Sequence, residues 1–206
     1  MTKKISKQHW RTRQHEDFYF KLSKKQGFRT RSVYKLIEMN EKYRLIKPKS
    51  WVLDLGCSPG GWSGYIVDEL SNKGRVISID INEMEPIANV DFILGDFQDK
   101  TIKNEIFKKI SDKKFDLIVS DISPNKTGNS ITDQYHFFQI AGEILEFSKK
   151  ALKSKGSLVM KVFVGLGFEK FVKDSKLIFR DTIFFKPKSS KPKSKETYLI
   201  ASSIRL

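Results

Sequence analysis

Hydrophobic and polar residues alternate in blocks along most of the chain, and these blocks predict a regular series of strands and helices. Short apolar runs predict strands at 51–56, 74–80, 90–96, 115–121, 156–163, 176–186 and 196–206. Helical periodicity predicts helices at 31–43, 61–70, 102–110, 133–152 and 168–174. The series contains no internal repeat and no linker that would divide it into two cores.

Strands that alternate with helices predict a parallel sheet with helices on both faces. The last two predicted strands are separated only by the lysine-rich segment PKSSKPKSK (187–195), which is too short for a helical crossover, so they are expected to pair antiparallel. The predicted fold is therefore α/β, with a mostly parallel seven-stranded sheet and one antiparallel strand near the C-terminus. This arrangement resembles the Rossmann-like fold of S-adenosylmethionine-dependent methyltransferases.

Polar residues stand at the carboxyl ends of the predicted strands. They are Asp54, Asp80, Asp96, Asp121 and, interrupting the apolar run LVMKV, Lys161. In open α/β sheets ligands bind beyond the carboxyl ends of the strands, and a buried charge is costly unless it is paired. A full row of such residues indicates a ligand site at this edge of the sheet.

The first strand-to-helix turn, DLGCSPGGW (54–62), is rich in glycine, which lets the backbone approach a ligand closely or simply turn tightly. Its spacing is not the G-x-G-x-x-G of dinucleotide-binding proteins. Asp80 follows Gly60 by about twenty residues, at the end of the second strand, where a carboxylate accepts hydrogen bonds from ribose hydroxyls. Together they indicate an adenosine-containing cofactor. Asp96 is expected to contact the adenine, or else to cap its own loop.

The formal net charge of +15 indicates a polyanionic partner, although a lysine-rich composition that only solvates the surface gives the same value. The candidate RNA-binding segments are a basic N-terminal arm (1–30), which precedes a methyltransferase domain (31–206), and the loop KPKSSKPKSK (186–195). Trp10 and Phe18 of the arm are expected to stack on unpaired bases or to pack the arm onto the domain.

Cys57 is the only cysteine, which excludes an intrachain disulfide and fits a reducing cytoplasmic compartment. The three histidines have no ligand-like spacing with it, so we expect no structural metal. We see neither an apolar run of membrane-spanning length nor a secretory signal, and nothing in the sequence requires more than a monomer.

The segments GFRTRSVYKL, DLGCSPGGWS, SDISPNKTG, GSLVMKVF and SKPKSKETYLIAS resemble, in order, the motifs of the RrmJ/FtsJ family of RNA 2′-O-methyltransferases. The resemblance extends from about residue 10 to the C-terminus. The departures are small residues in place of small ones: Cys57 and Ser58 stand where alanines are usual, as does Ser123.

The resemblance implies a catalytic tetrad at Lys35, Asp121, Lys161 and Glu196. It implies S-adenosylmethionine as the cofactor, with contacts at Gly60, Trp62, Asp80, Asp96 and Asp121. It also implies a target, the ribose 2′-hydroxyl of a uridine in the A-loop of large-subunit rRNA, late in ribosome assembly. The implied partner is this rRNA or the assembled large ribosomal subunit.

A ribose 2′-hydroxyl is a poor nucleophile, so the enzyme must align it with the methyl group and remove its proton. Lys161 acts as the base only if it is neutral, a form favoured by burial and by the nearby Lys35 ammonium. The carboxylates oppose this, and a charged Lys161 would steer the hydroxyl while the proton leaves to solvent. We expect Asp121 to orient Lys161, and Glu196 to hold Lys35 and the substrate ribose.

Three other functions compete with this one. A non-catalytic RNA-binding or ribosome-assembly factor on the same scaffold would be favoured by an incomplete tetrad, but this tetrad is intact. A methyltransferase of the same family acting on tRNA or on mRNA caps has the same charge. A nicotinamide-dependent oxidoreductase is disfavoured because the G-x-G-x-x-G turn is missing.

Overall fold

The structure is a computed structural model that describes residues 18–71, 73–111, 113–123, 127–191 and 194–205. Trp10 and the first part of the predicted arm lie outside the described residues, as do 124–126 and 192–193. The described helices are α1 (Phe18–Lys25), α2 (Val33–Tyr43), α3 (Gly61–Leu70), α4 (Lys100–Ile110), α5 (Ser130–Ala151) and α6 (Phe168–Ile178). The strands are β1 (Trp51–Leu55), β2 (Arg75–Asp80), β3 (Val90–Leu94), β4 (Phe115–Ser120), β5 (Leu152–Phe163), β6 (Phe179–Phe185) and β7 (Glu196–Ile204).

The strands form one seven-stranded sheet in the order β3-β2-β1-β4-β5-β7-β6. The first five strands of that order pair in parallel, and β7 runs antiparallel to both of its neighbours. The predicted sheet, mostly parallel with one antiparallel strand near the C-terminus, is confirmed. The antiparallel pairing follows from the short connection between β6 and β7, which leaves no room for a helical crossover.

Two apolar clusters cover the two faces of the sheet. Alternate residues of one strand supply both: Leu53 packs toward α4 and α5, whereas Val52 packs toward α2 and α3. Because both faces are covered, the central strands are apolar along nearly their whole length. In the described part of the chain, the helices include none with the length and apolar character needed to cross a membrane.

The strand expected from residue 156 begins at Leu152, and two other stretches differ from the prediction. The strand expected from residue 176 begins at Phe179, because α6 continues to Ile178 and buries Phe171, Ser175 and Ile178 on one face. An apolar run at the end of a helix looks like the start of a strand when only local hydrophobicity is used.

The second difference lies in the predicted arm, part of which forms α1. Tyr19 and Phe28 pack their rings against Tyr34 of α2, with centroid distances of 5.3 and 5.8 Å. Phe18 remains 69% exposed. Some aromatic residues of the arm therefore pack on the domain, and Phe18 faces solvent. The boundary between arm and domain at residue 30 stays a prediction.

Candidate active site

A cavity of about 420 Å³ opens beyond the carboxyl ends of β1, β2, β3 and β4, and we call it the strand-end cavity. Three residues predicted to bind the cofactor, Asp80, Asp96 and Asp121, line it together. The remaining lining mixes small, amide and apolar residues: Gly56, Ser58, Ile79, Ile81, Asn82, Gly95, Phe97, Gln98, Ile122, Ser123 and Ile140. Carboxylates beside apolar walls suit a ligand that has both hydroxyl groups and a flat ring.

Asp80, the last residue of β2, is held by the two turns beside it. Its Oδ2 accepts a hydrogen bond from the Ser58 backbone N–H at 2.9 Å. Its Oδ1 accepts from the backbone N–H and the side-chain amide of Asn82, at 2.8 and 3.0 Å. An ionised carboxylate can accept about four hydrogen bonds, so these three contacts fix its orientation and leave capacity for about one more, from a ligand hydroxyl.

Asp96 follows β3, and its Oδ1 accepts from the Gln98 backbone N–H at 2.8 Å. The side chain therefore caps its own loop while it lines the strand-end cavity. Gly56 lies across the cavity with a φ of +75°, and a Cβ there would lie 2.7 Å from Ile122 Cγ1. Only glycine lets the turn after β1 come this close to the chain that follows β4.

Lys161 and Asp121 meet at the ends of the adjacent strands β4 and β5. Lys161 is only 6% exposed, and its Nζ lies 2.6 Å from the Asp121 carbonyl oxygen and 3.1 Å from Asp121 Oδ1. The Asp121 carboxylate supplies an opposite charge and its carbonyl accepts a hydrogen bond, which together offset the cost of burying the Lys161 side chain. This pair lies beside the strand-end cavity, since Asp121 lines it.

The second ion pair joins α2 to the first residue of β7. Lys35 Nζ lies 2.6 Å from Glu196 Oε1, and both side chains are 13% exposed. The same carboxylate oxygen accepts a hydrogen bond from Ser190 Oγ at 3.0 Å.

Tyr198 lies between the two ion pairs. Its hydroxyl donates to Asp121 Oδ1 at 2.8 Å, and Lys35 Nζ lies 5.6 Å from the centre of its ring. Burial, with the Asp121 and Glu196 carboxylates nearby, raises the pKa of the Tyr198 phenol well above its ordinary value. The hydroxyl therefore stays protonated and remains a donor. We call Lys35, Asp121, Lys161, Glu196 and Tyr198 the ion-pair cluster.

Comparison with known proteins identifies the family of the chain. The family model of FtsJ-like methyltransferases matches residues 28–203. The chain belongs to the FtsJ-like methyltransferase family. Over 206 residues it is 37% identical to the ribosomal RNA large subunit methyltransferase E of Legionella pneumophila, covering 100% of both chains.

Solved structures agree with this membership. A Plasmodium falciparum chain described as a ribosomal RNA methyltransferase superposes with a TM-score of 0.77 at 30% identity, over 86% of this chain and 98% of that one. Human methyltransferase-like protein 13, in complex with SAH, shares the fold at a TM-score of 0.58 and 13% identity, over 83% and 79% of the two chains. The predicted family, the Rossmann-like methyltransferase fold and the S-adenosylmethionine cofactor are confirmed.

Two residues that the FtsJ-like motif predicts as cofactor contacts do not line the strand-end cavity. Trp62 is buried, donates from Nε1 to the Ser32 carbonyl at 2.9 Å and packs its ring against Tyr198. Gly60 has a φ of +100°, and a Cβ there would lie 2.7 Å from Met84 and Ile87. In this structure local packing explains both residue types, and a role in cofactor binding stays a prediction.

Arg29, within the motif GFRTRSVYKL, was not singled out from the sequence. Its Nη1 donates to the Pro59 and Glu85 carbonyls at 3.1 and 2.6 Å, and its Nη2 donates to the Pro86 carbonyl at 3.0 Å. One guanidinium thus ties the glycine-rich turn to the loop after β2. The only signal in the sequence was its place inside a motif of the FtsJ-like family.

Asp54 was predicted at the end of β1 with the other acidic residues, but its side chain is fully buried and does not line the cavity. Its Oδ2 accepts from Ser63 Oγ at 2.7 Å, whereas no protein atom among the described residues bonds to its Oδ1. Burial raises the pKa of this carboxyl to about 7, which the Ser63 hydrogen bond opposes and the Asp121 and Asp80 charges reinforce.

Proposed function

We propose that this protein transfers the methyl group of S-adenosylmethionine to the ribose 2′-hydroxyl of a uridine in large-subunit (23S) rRNA. The proposed site is the A-loop, modified late in ribosome assembly in the cytoplasm. The observation that carries the proposal is the ion-pair cluster, which joins all four residues of the implied tetrad beside the strand-end cavity. The rRNA substrate is supported by full-length similarity to a ribosomal RNA large subunit methyltransferase E.

The strand-end cavity fits the adenosine part of the cofactor. Asp80 would accept hydrogen bonds from its ribose, Asp96 from the adenine amine, and apolar walls such as Ile81 and Phe97 would contact the ring. Asp121 lies where this cavity meets the ion-pair cluster. When bound, S-adenosylmethionine supplies a methyl group that its sulfonium already activates.

Lys161 would hold the 2′-oxygen. In its ammonium form Nζ has three donors, and the Asp121 carbonyl and carboxylate accept two of them. The third is then free for the ribose hydroxyl, whose proton leaves to solvent as the oxygen gains the methyl group. The competing role is a neutral Lys161 that takes the proton itself.

These two roles differ in the pH dependence of turnover. If Lys161 must be neutral to act, kcat rises with pH and Lys161→Arg is inactive at every pH, because arginine stays protonated. If Lys161 only holds the oxygen, Lys161→Arg retains measurable turnover.

The loop between β6 and β7 would bind the RNA backbone. Lys188, Lys191 and Lys195 are exposed there and lie close in sequence to Glu196. Replacing all three by glutamine should weaken binding of the RNA and flatten its salt dependence, by about 0.7–0.9 in log–log slope for each phosphate that the loop no longer neutralises. An unchanged slope would remove this loop from the RNA-binding surface.

The test is methyl transfer from radiolabelled S-adenosylmethionine, followed by mapping of the labelled nucleotide. The substrates are large ribosomal subunits, naked large-subunit rRNA and tRNA, each from cells that lack the enzyme. Label on the ribose of a single A-loop uridine supports the proposal, and the first two substrates separate assembled subunit from free rRNA. Label on tRNA would show that the proposed reaction is right but that its substrate is tRNA. No label, with cofactor binding intact, would favour the non-catalytic assembly factor.

A further inference from the structure

The β6–β7 loop begins with a polar segment that is buried. In residues 187–190, Ser189 and Ser190 are 5% and 6% exposed, while Lys188 between Pro187 and Ser189 faces solvent. Buried backbone N–H groups need acceptors, and a segment outside any strand or helix must find them elsewhere.

Glu38 of α2 supplies those acceptors. Its Oε2 accepts from the Lys188 backbone N–H at 2.7 Å, and its Oε1 accepts from the Ser189 backbone N–H at 2.9 Å. Hydrogen bonds to a carboxylate are stronger than those between neutral groups, so one side chain fixes two consecutive peptide groups of the loop. Glu38 does not line the strand-end cavity, and the implied tetrad does not include it.

The fixed segment leads directly to the ion-pair cluster. The Ser190 backbone N–H donates to the Pro187 carbonyl at 3.1 Å, which closes the turn. Ser190 Oγ then donates to Glu196 Oε1, the oxygen that also contacts Lys35 Nζ. The contacts therefore run from Glu38 through the turn and Ser190 to Glu196 and Lys35.

This series of contacts closes on itself, because Lys35 and Glu38 are three residues apart on α2 and lie on neighbouring positions of its surface. One helix thus holds both ends of the β6–β7 loop, the beginning through Glu38 and the end through Lys35. Displacing the beginning of the loop would remove Ser190 from Glu196.

We propose that Glu38 is a positioning residue for methyl transfer: by anchoring residues 187–190 it places the Ser190 hydroxyl on Glu196 and so keeps the Lys35–Glu196 pair in its active geometry. The inference rests on the proposed function. A carboxylate that merely stabilised the fold would act on the whole domain, whereas this one acts on turnover through Ser190.

The experiment compares Glu38→Ala, Ser190→Ala and the double variant, with Glu41→Ala as the control. Glu41 is an exposed acidic residue one turn further along α2, so its variant has the same loss of charge and size. The measurements are kcat and KM on large ribosomal subunits, the Kd of S-adenosylmethionine, and backbone hydrogen exchange of the amides of residues 188–191.

Losing a hydrogen bond to a charged group changes an equilibrium by about tenfold or more. We expect kcat to fall about tenfold or more in Glu38→Ala and about tenfold in Ser190→Ala, with an unchanged cofactor Kd. The double variant should be no slower than Glu38→Ala, because both changes interrupt the same contacts. Exchange of the amides of 188–191 should accelerate in Glu38→Ala and in the double variant but not in Ser190→Ala. Glu38→Gln should lie between Glu38→Ala and wild type, and Glu41→Ala should match wild type.

Three results would overturn the inference. The first is an unchanged kcat in Glu38→Ala, and the second is a double variant in which the effects of the two single variants multiply. The third is a parallel loss of cofactor affinity, which would make Glu38 a general structural residue. If wild-type protein methylates no RNA offered, the proposed function fails separately. Hydrogen exchange then still decides whether Glu38 anchors the loop, since unchanged exchange in Glu38→Ala contradicts the anchor without any assay of activity.

Discussion

The strand-end cavity and the ion-pair cluster lie side by side, yet the chain builds them in different ways. In the cavity, Asp80 and Asp96 are each held by a residue two positions further along the chain. In the cluster, contacts join residues 40 and 77 positions apart, as in Lys161 with Asp121 and Tyr198 with Asp121. Asp80 also accepts from the Ser58 N–H, 22 positions away, but much of its support is local, whereas the cluster contacts depend on the pairing of β4, β5 and β7.

This difference predicts that the two regions serve different steps of the reaction. On the proposed function, the turns that hold Asp80 and Asp96 would keep the cofactor site intact when distant contacts are altered, while the cluster needs β4, β5 and β7 in register to bring its charges together. Variants in the two regions should therefore affect different steps, cofactor binding in the first and methyl transfer in the second.

The largest effect is expected for Lys161→Ala. Removing a group that holds or deprotonates the nucleophile should lower kcat by about 10²–10⁴-fold. The Kd of S-adenosylmethionine, measured by calorimetry, should stay within a few fold of wild type, because Lys161 does not itself line the cavity and reaches it only through Asp121. Near-normal turnover would show that Lys161 is not central to the chemistry.

Asp80→Asn tests the other region and should give the opposite result. The amide keeps the size of the side chain but loses the charge proposed to accept from the ribose, so the Kd of S-adenosylmethionine should rise about 10–100-fold. At saturating cofactor, kcat should return to within a few fold of wild type. A persistent loss of kcat would mean that the two regions are coupled more tightly than their contacts indicate.

Tyr198→Phe sharpens the comparison within the ion-pair cluster. The change removes only the hydroxyl that donates to Asp121 and leaves the buried ring in place. We expect kcat to fall about tenfold, the value of one hydrogen bond to a charged group, with cofactor affinity unchanged. An unaltered kcat would make Tyr198 a packing residue that happens to touch the cluster.

Asp54→Asn should leave turnover nearly unchanged and act on stability. The carboxyl binds its proton more tightly in the folded state, with a pKa of about 7 against an ordinary value of 3.8. Its contribution to the free energy of unfolding is therefore greatest below pH 4 and is lost as the pH rises to about 7. The loss is on the order of a few kcal/mol.

The asparagine side chain does not titrate. The free energy of unfolding of both proteins, measured by urea denaturation at about pH 5 and about pH 8, should therefore shift in favour of the variant at the higher pH. An equal difference between the two proteins at both pH values would mean that Asp54 does not titrate in this range.

The sequence was most informative where function and local pattern coincide. Apolar runs that end in a charged residue located Asp80, Asp96 and Asp121, because a strand end is visible in the pattern of the chain, and a lysine that interrupts an apolar run located Lys161. The direction of strand pairing also followed from connection lengths, which physical rules convert into parallel or antiparallel neighbours.

The residues that the sequence did not reveal owe their roles to distant partners. Tyr198 lies in an apolar strand and looks like an ordinary core residue until β7 pairs with β5 opposite Lys161. Glu38 looks like a solvated helix position until the β6–β7 loop folds onto it. Neither partner is near enough in sequence for periodicity to show it.

The place of β7 in the sheet also has a consequence for the order of events during synthesis. The ribosome makes β5 and β6 first, and the strand that belongs between them emerges only afterwards. A nascent chain that ends before Glu196 can fold the turns of the cavity, but it has an unfilled gap in its sheet and lacks two members of the ion-pair cluster. On the proposed function, catalytic competence is thus the last property that the growing polypeptide acquires.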